Sequence, residues 1–203
     1  MVTAAALDLA ALAESVAEDF DIRFSGLDFS LAPFPGEDTS LGGAMERLGI
    51  ALGGGGAAAA ASVIMSALDA AQYRRAGFNG LMLPVLEDSV IAARAASGQL
   101  RVTDLLLYSA VCGTGLDTLP LPGDISADAL IGILLDVATL ALRLDKPLTA
   151  RLMPLPGKVA GEACGLEDFA YFAPGRVVAA PAGLVPGGLF AGEGAFRMRS
   201  RAR

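Results

Sequence analysis

Apolar residues recur at helical spacing near the start of the chain. Leu7, Leu9, Leu12, Val16 and Phe20 stand against Asp8, Glu14, Glu18 and Asp19, which predicts an amphipathic helix over residues 3–19. The pattern then tightens. Ile22 to Leu31 alternates in part and reads as a strand, closed by Pro33 and Pro35. Ser40 is placed to cap a short helix through Leu48. Glycines 53–56 precede a long run of alanine and aliphatic residues, Ala57 to Tyr73, which predicts a further helix. Gly80 to Val85 reads as a buried strand. Glu87 and Asp88 follow it and open a helix through Ala96, where acids suit the partial positive charge of a helix N-terminus.

The second half continues the alternation. Thr103 or Asp104 is a candidate cap for a short helix, while Leu105 to Val111 reads equally well as a strand. Val111 to Asp124, rich in glycine and proline, reads as a connector. Ser126 caps a helix over 127–143, which Lys146 and Pro147 break. Leu148 to Leu155 is a strand, and Arg176 to Ala180 a last short one. Strands alternating with helices predict an α/β fold with parallel pairing. The predicted strands end in polar or glycine-rich loops at 32–37, 87–88, 113–124 and 156–162. Carboxyl ends of parallel strands share one rim, where ligand sites are built, so the candidate residues are expected there.

Composition narrows the chemistry. Of 203 residues, 54% are apolar, 25 are glycine and none is tryptophan, so the core is expected to be tightly spaced and aliphatic. The length suits one domain over 1–190, followed by a basic tail over 191–203. Net charge is -7, which argues against a nucleic-acid partner, since a phosphate backbone needs clustered Lys and Arg. No histidine is present, which excludes a Ser-His-Asp triad, a Cys-His dyad and any histidine-bound metal within the chain. Acid–base work falls to Asp, Glu, Lys, Tyr or Cys. Cys112 and Cys164 lie far apart, with no CxxC spacing. The N-terminus has no basic n-region, so a cytoplasmic location is expected. Residues 48–68 carry no charge, but glycines interrupt them, and Asp136 sits within the apolar run 129–142, so no membrane span is expected.

Several residues are candidates for chemistry, each with a plainer alternative. Cys112 is a thiol between an apolar run and Gly113; it reads as a nucleophile or as a buried small hydrophobe. Asp117 and Asp124, with Glu87 and Asp88 from the same expected rim, read as oxygen ligands for a divalent cation. Asp117 and Asp124 are also the candidate catalytic carboxylates, and capping of backbone amides is the alternative for both. Arg151 and Lys158, with the loop amides of Gly113, Thr114 and Gly115, read as a site for an anionic ligand. Pairing of the two cations with the rim acids is the alternative. Glycines 53–56 lack the Lys-Ser/Thr of a phosphate-binding loop.

The same residues carry a resemblance. Cys112-Gly-Thr-Gly-Leu-Asp117 with Pro122-Gly-Asp124, then Lys146-Pro-Leu-Thr-Ala-Arg151 and Pro156-Gly-Lys158, resembles the DUF711 (UPF0210) family. Ala32-Pro-Phe-Pro35 and Leu83-Pro-Val-Leu-Glu-Asp88 fit it too, and the likeness runs from about residue 20 to residue 181. The family is uncharacterised, so the resemblance implies a fold and no activity. It implies part of a pyruvate formate-lyase-like α/β barrel, though this sequence shows no recognisable glycyl-radical motif near its C-terminus. It also implies that this chain corresponds to the C-terminal half of longer relatives. Half a barrel leaves strand edges open, so a homo-oligomer or a missing N-terminal half is expected to complete it. Two functional classes stay open. One is an α/β protein with a polar rim site for a small, anionic or metal-bridged ligand; the other is a non-catalytic structural or regulatory module completed by a partner chain.

Overall fold

Serine and aspartate caps set the helix starts. In a computed structural model, which describes residues 2–184 and 197–200, the Ser40 hydroxyl accepts from Gly43 N–H and starts α2, Leu41–Arg47. Asp88 accepts from the amides of Val90 and Ile91 and starts α4, Ser89–Ala96. Ser126 accepts from Ala129 N–H and starts α6, Ala127–Leu144. Each supplies an acceptor to an amide that the first helical turn leaves orphaned. The other helices are α1 (Val2–Asp19), α3 (Ala57–Asp69) and α5 (Val102–Ser109). The segment 105–111, open between helix and strand in sequence, is largely helical. Asp104 reaches back to the Arg101 amide at 2.8 Å and fixes the start of α5.

Two helices depart from expectation. α3 ends at Asp69 rather than Tyr73, because the Arg75 guanidinium collects the carbonyls of Leu68, Asp69 and Ala71. α1 forms as predicted but turns its other side inward. Ala6 and Ala17 are buried, while Leu7, Leu12 and Phe20 are exposed.

The connector over 111–124 is the main correction. Gly115–Pro122 forms β1, which pairs in parallel with β2, Thr149–Leu155. Leu116, Leu119 and Leu121 are fully buried and anchor it in the main core. A buried leucine contributes about 1.5–3 kcal/mol, enough for three of them to outweigh a glycine- and proline-rich composition. The predicted strands 22–31, 80–85 and 176–180 shrink to single bridges, namely Leu27 to Arg75, Leu31 to Leu81 and Ala163 to Arg176.

Four extended ranks still lie side by side in chain order. Leu31 N–H donates to Gly80 O and Met82 N–H to Leu31 O, joining residues 27–31 to 74–86. Gly113 N–H donates to Leu81 O and Val85 N–H to Asp117 O, joining that segment to β1. At Gly80 and Gly113 the two backbones touch, since a Cβ on Gly80 would lie 2.4 Å from Gly113 Cα. Helices connect the ranks, and the main core joins them to the helices through Leu81, Leu83, Ile91, Leu105 and Ile133. The fold is thus α/β with parallel strands and helices. Among the described residues, no helix is long and apolar enough to cross a membrane.

Candidate functional site

A bulge in β1 creates the site. Leu116 pairs with Ala150 and Leu119 with Leu152, so β1 uses one residue more than β2 between those points. The excess falls at Asp117 and Thr118, where Thr118 takes a φ of +40°. Such bulges re-aim side chains. Here Thr118 turns its hydroxyl to accept from Leu86 N–H at 3.2 Å, which satisfies a donor the interrupted ladder leaves over. Asp117 faces away from the leucine side of β1 and meets Arg151 of β2. Arg151 Nε donates to Asp117 Oδ1 at 2.5 Å, and its Nη2 donates to Glu87 Oε1 at 2.7 Å.

One guanidinium therefore links carboxylates from two chain segments. The hydrogen bond that Arg151 donates to Asp117, the strongest influence, and the Asp117 and Glu87 charges raise the Arg151 pKa against the cost of burial. The Asp117 side chain is 10% exposed and Arg151 54%, so the inner half of the pair is the less screened by solvent. The three groups sum to -1 (two carboxylates against one guanidinium).

Asp117 and Arg151 line a cleft of about 510 Å³ with Phe78, Met82, Thr114, Thr149 and Ala150. Thr114 is 4% exposed, and its hydroxyl has no hydrogen-bond partner among the described residues. Buried polar groups are nearly always satisfied, so this hydroxyl stands out in the cleft wall. The cleft sits at the amino-terminal half of β1 and β2. This corrects the expected carboxyl rim, whose strand ends are covered by a second apolar cluster. There Cys164, Val177 and Phe172 pack on Leu86, Met153 and Leu155.

The remaining sequence candidates lie elsewhere. Asp88 is fully buried and caps two helices at once. Oδ1 accepts from Ser40 Oγ, Val90 N and Ile91 N, and Oδ2 from Leu41 N and Gly42 N. Asp124 is exposed in the turn after β1. The four-carboxylate cation cluster is therefore not assembled. Among the described residues, no three His, Cys, Asp or Glu side chains come together as a metal cage. Lys158 lies past the far end of β2, where its charge acts on Cys164. Gly113 spends its amide on Leu81 O, and the Gly115 amide faces the Cys112 sulfur at 3.4 Å, so neither is free for an anion. Cys112 is 1% exposed in the main core and does not line the cleft. Of the basic tail, residues 191–196 and 201–203 lie outside the described residues.

Sequence reasoning missed Phe78, Met82, Thr149 and Lys146. The first two carry no signal, because apolar residues beside a strand read as core. Lys146 donates to Ser109 O at 3.1 Å. Burial lowers its pKa, against the opposing effect of Cys112 and then of Asp69. A second concavity, about 470 Å³ between α5 and α6, has mostly apolar walls such as Leu106 and Ile133. It lacks the convergent charged groups of the first.

Comparison with known proteins agrees with the sequence resemblance. Residues 2–167 match the family described as "Uncharacterised ACR (DUF711)". A UPF0210 protein of Pyrobaculum aerophilum is 36% identical over 152 residues, covering 72% of this chain and 34% of that protein. One from Syntrophobacter fumaroxidans is 38% identical over 157 residues, covering 74% and 34% respectively. One from Methanopyrus kandleri is 36% identical over 152 residues, with 72% and 34% covered. The match thus spans about a third of the length of these relatives. No solved structure gives a significant match.

Proposed function

The chain belongs to the uncharacterised DUF711 family, and from that premise we propose that the cleft of Thr114, Asp117 and Arg151 binds a small polar molecule. The observation that carries this is the buried, unpartnered Thr114 hydroxyl in the wall that also presents the Asp117–Arg151 pair. Convergent polar groups in an otherwise apolar cleft are what a ligand site requires. If the site is catalytic, Asp117 and Glu87 are the groups placed to exchange protons, in a chain that has no histidine. A divalent cation would find two carboxylates there, both already bonded to Arg151. Asp124 and Cys112 take no part in this proposal.

A thermal-shift screen of small metabolites tests it. A ligand at about a hundred times its Kd adds roughly 2.7 kcal/mol to folding stability. Compounds that stabilise the wild type and not Asp117→Asn support the site. Compounds that stabilise both equally contradict it.

A second reading is a barrel module completed by another chain or by further sequence. It is favoured by the four ranks in chain order, the winding sense of a barrel, and by β2, which has β1 alone as strand partner among the described residues. A cytoplasmic location suits both readings, since two buried free cysteines fit a reducing compartment.

A further inference from the structure

We infer that the cleft selects a primary amine carried on a short apolar body, rather than an anion; this rests on the cleft being a ligand site at all. Charge is the first argument. Two carboxylates hold one guanidinium: Asp117 and Arg151 line the cleft, Glu87 bonds Arg151 from outside that lining, and among the described residues no other charged side chain lines it. Arg151 directs Nε and Nη2 at Asp117 and Glu87, so an anion that reaches its remaining N–H groups meets both carboxylates beside it. A cation meets a three-group cluster that sums to -1 and whose inner carboxylate is nearly buried and weakly screened.

Hydrogen-bonding capacity is the second argument. Among the described residues, Asp117 Oδ2 and Glu87 Oε2 accept nothing, and the Thr114 hydroxyl is idle. Thr114 and Asp117 line the cleft, and Arg151 ties Glu87 to Asp117. An ammonium group carries three donors and no acceptor, so it matches these open acceptors. The third argument is the apolar wall. Phe78 is half exposed and Met82 stands beside it. An aromatic face next to an ammonium adds cation–π attraction, and the thioether accommodates irregular apolar shapes.

Three probes of one shape isolate the charge: benzylamine, benzyl alcohol and benzoate. Each is titrated into the ¹⁵N-labelled protein at low ionic strength while amide shifts are followed. Benzylamine is expected to shift the amides of Thr114, Asp117 and Arg151, and to bind at least roughly tenfold tighter than the alcohol, a difference of about 1.4 kcal/mol. Benzoate is expected to leave those amides unmoved. Asp117→Asn is expected to remove roughly tenfold of the amine affinity, and Glu87→Gln serves if that variant does not fold. Asp8→Asn, on exposed α1, is expected to change nothing. If benzoate or the alcohol binds there as tightly as the amine, the amine assignment is overturned while the cleft stands as a site. If none of the three moves those amides, the cleft reading falls with it.

Discussion

Asp88 shows how one carboxylate supports two possible stories until its neighbours are known. Acids before an apolar run predicted a helix start, and the cap is there. The same residue also read as a metal ligand, because nothing in sequence shows that Ser40 and α2 return to it across 48 positions. Five donors converge on a carboxylate with no exposed surface, so Asp88→Ala would orphan buried amides at two helix starts. Its expected cost is roughly 3–5 kcal/mol in urea unfolding. Cys164 gives a second check at this scale. Burial, chiefly, and the Glu167 charge push its thiol from 9.0 to about 11. The folded state then holds a proton that the unfolded chain has released, so stability is full below about pH 9 and falls as pH rises toward about 11. Cys164→Ala is expected to flatten that part of the pH–stability curve.

Helices were legible at the element scale because periodicity and caps are local. Ser40, Asp88 and Ser126 mark three starts by their residue type alone. β1 was not legible, because its glycines and prolines are turn residues by any local rule. Its strand character comes from neighbours on both sides and from three leucines that face the helices. The bulge at Asp117 and Thr118 is equally invisible, being a mismatch of count between two strands. α1 failed differently: its apolar stripe was read correctly as a pattern, yet the alanine side docks. Gly113 also changes meaning at this scale. It read as an amide for an anion and is instead the contact point of two strands. A Cβ there would lie 2.6 Å from Gly80 Cα, a backbone atom that cannot step aside. Gly113→Ala is therefore expected to cost about 3 kcal/mol by chemical denaturation, near the upper end for a single substitution.

At the largest scale the described residues form an α/β layer whose ranks follow chain order and whose core they share with the helices. That much followed from alternation of elements. The position of the candidate cleft did not, because the rule that places ligands at carboxyl strand ends says nothing of a bulge beside a cleft nearer the amino ends. The charged partners Glu87, Asp117 and Arg151 were each named from sequence, and only folding brings them to a single guanidinium. If the barrel is completed between copies, sedimentation at micromolar concentration is expected to show a dimer or larger, and a monomer at all concentrations would count against completion by self-association.

The central claim is that Thr114 and Asp117 serve one ligand in one cleft. A double-mutant cycle on benzylamine affinity tests it most directly, using wild type, Thr114→Val, Asp117→Asn and the double variant. Two groups on one bound molecule are expected to couple by roughly 0.5 kcal/mol or more. Single losses that simply add, or no loss from either, would contradict a shared site.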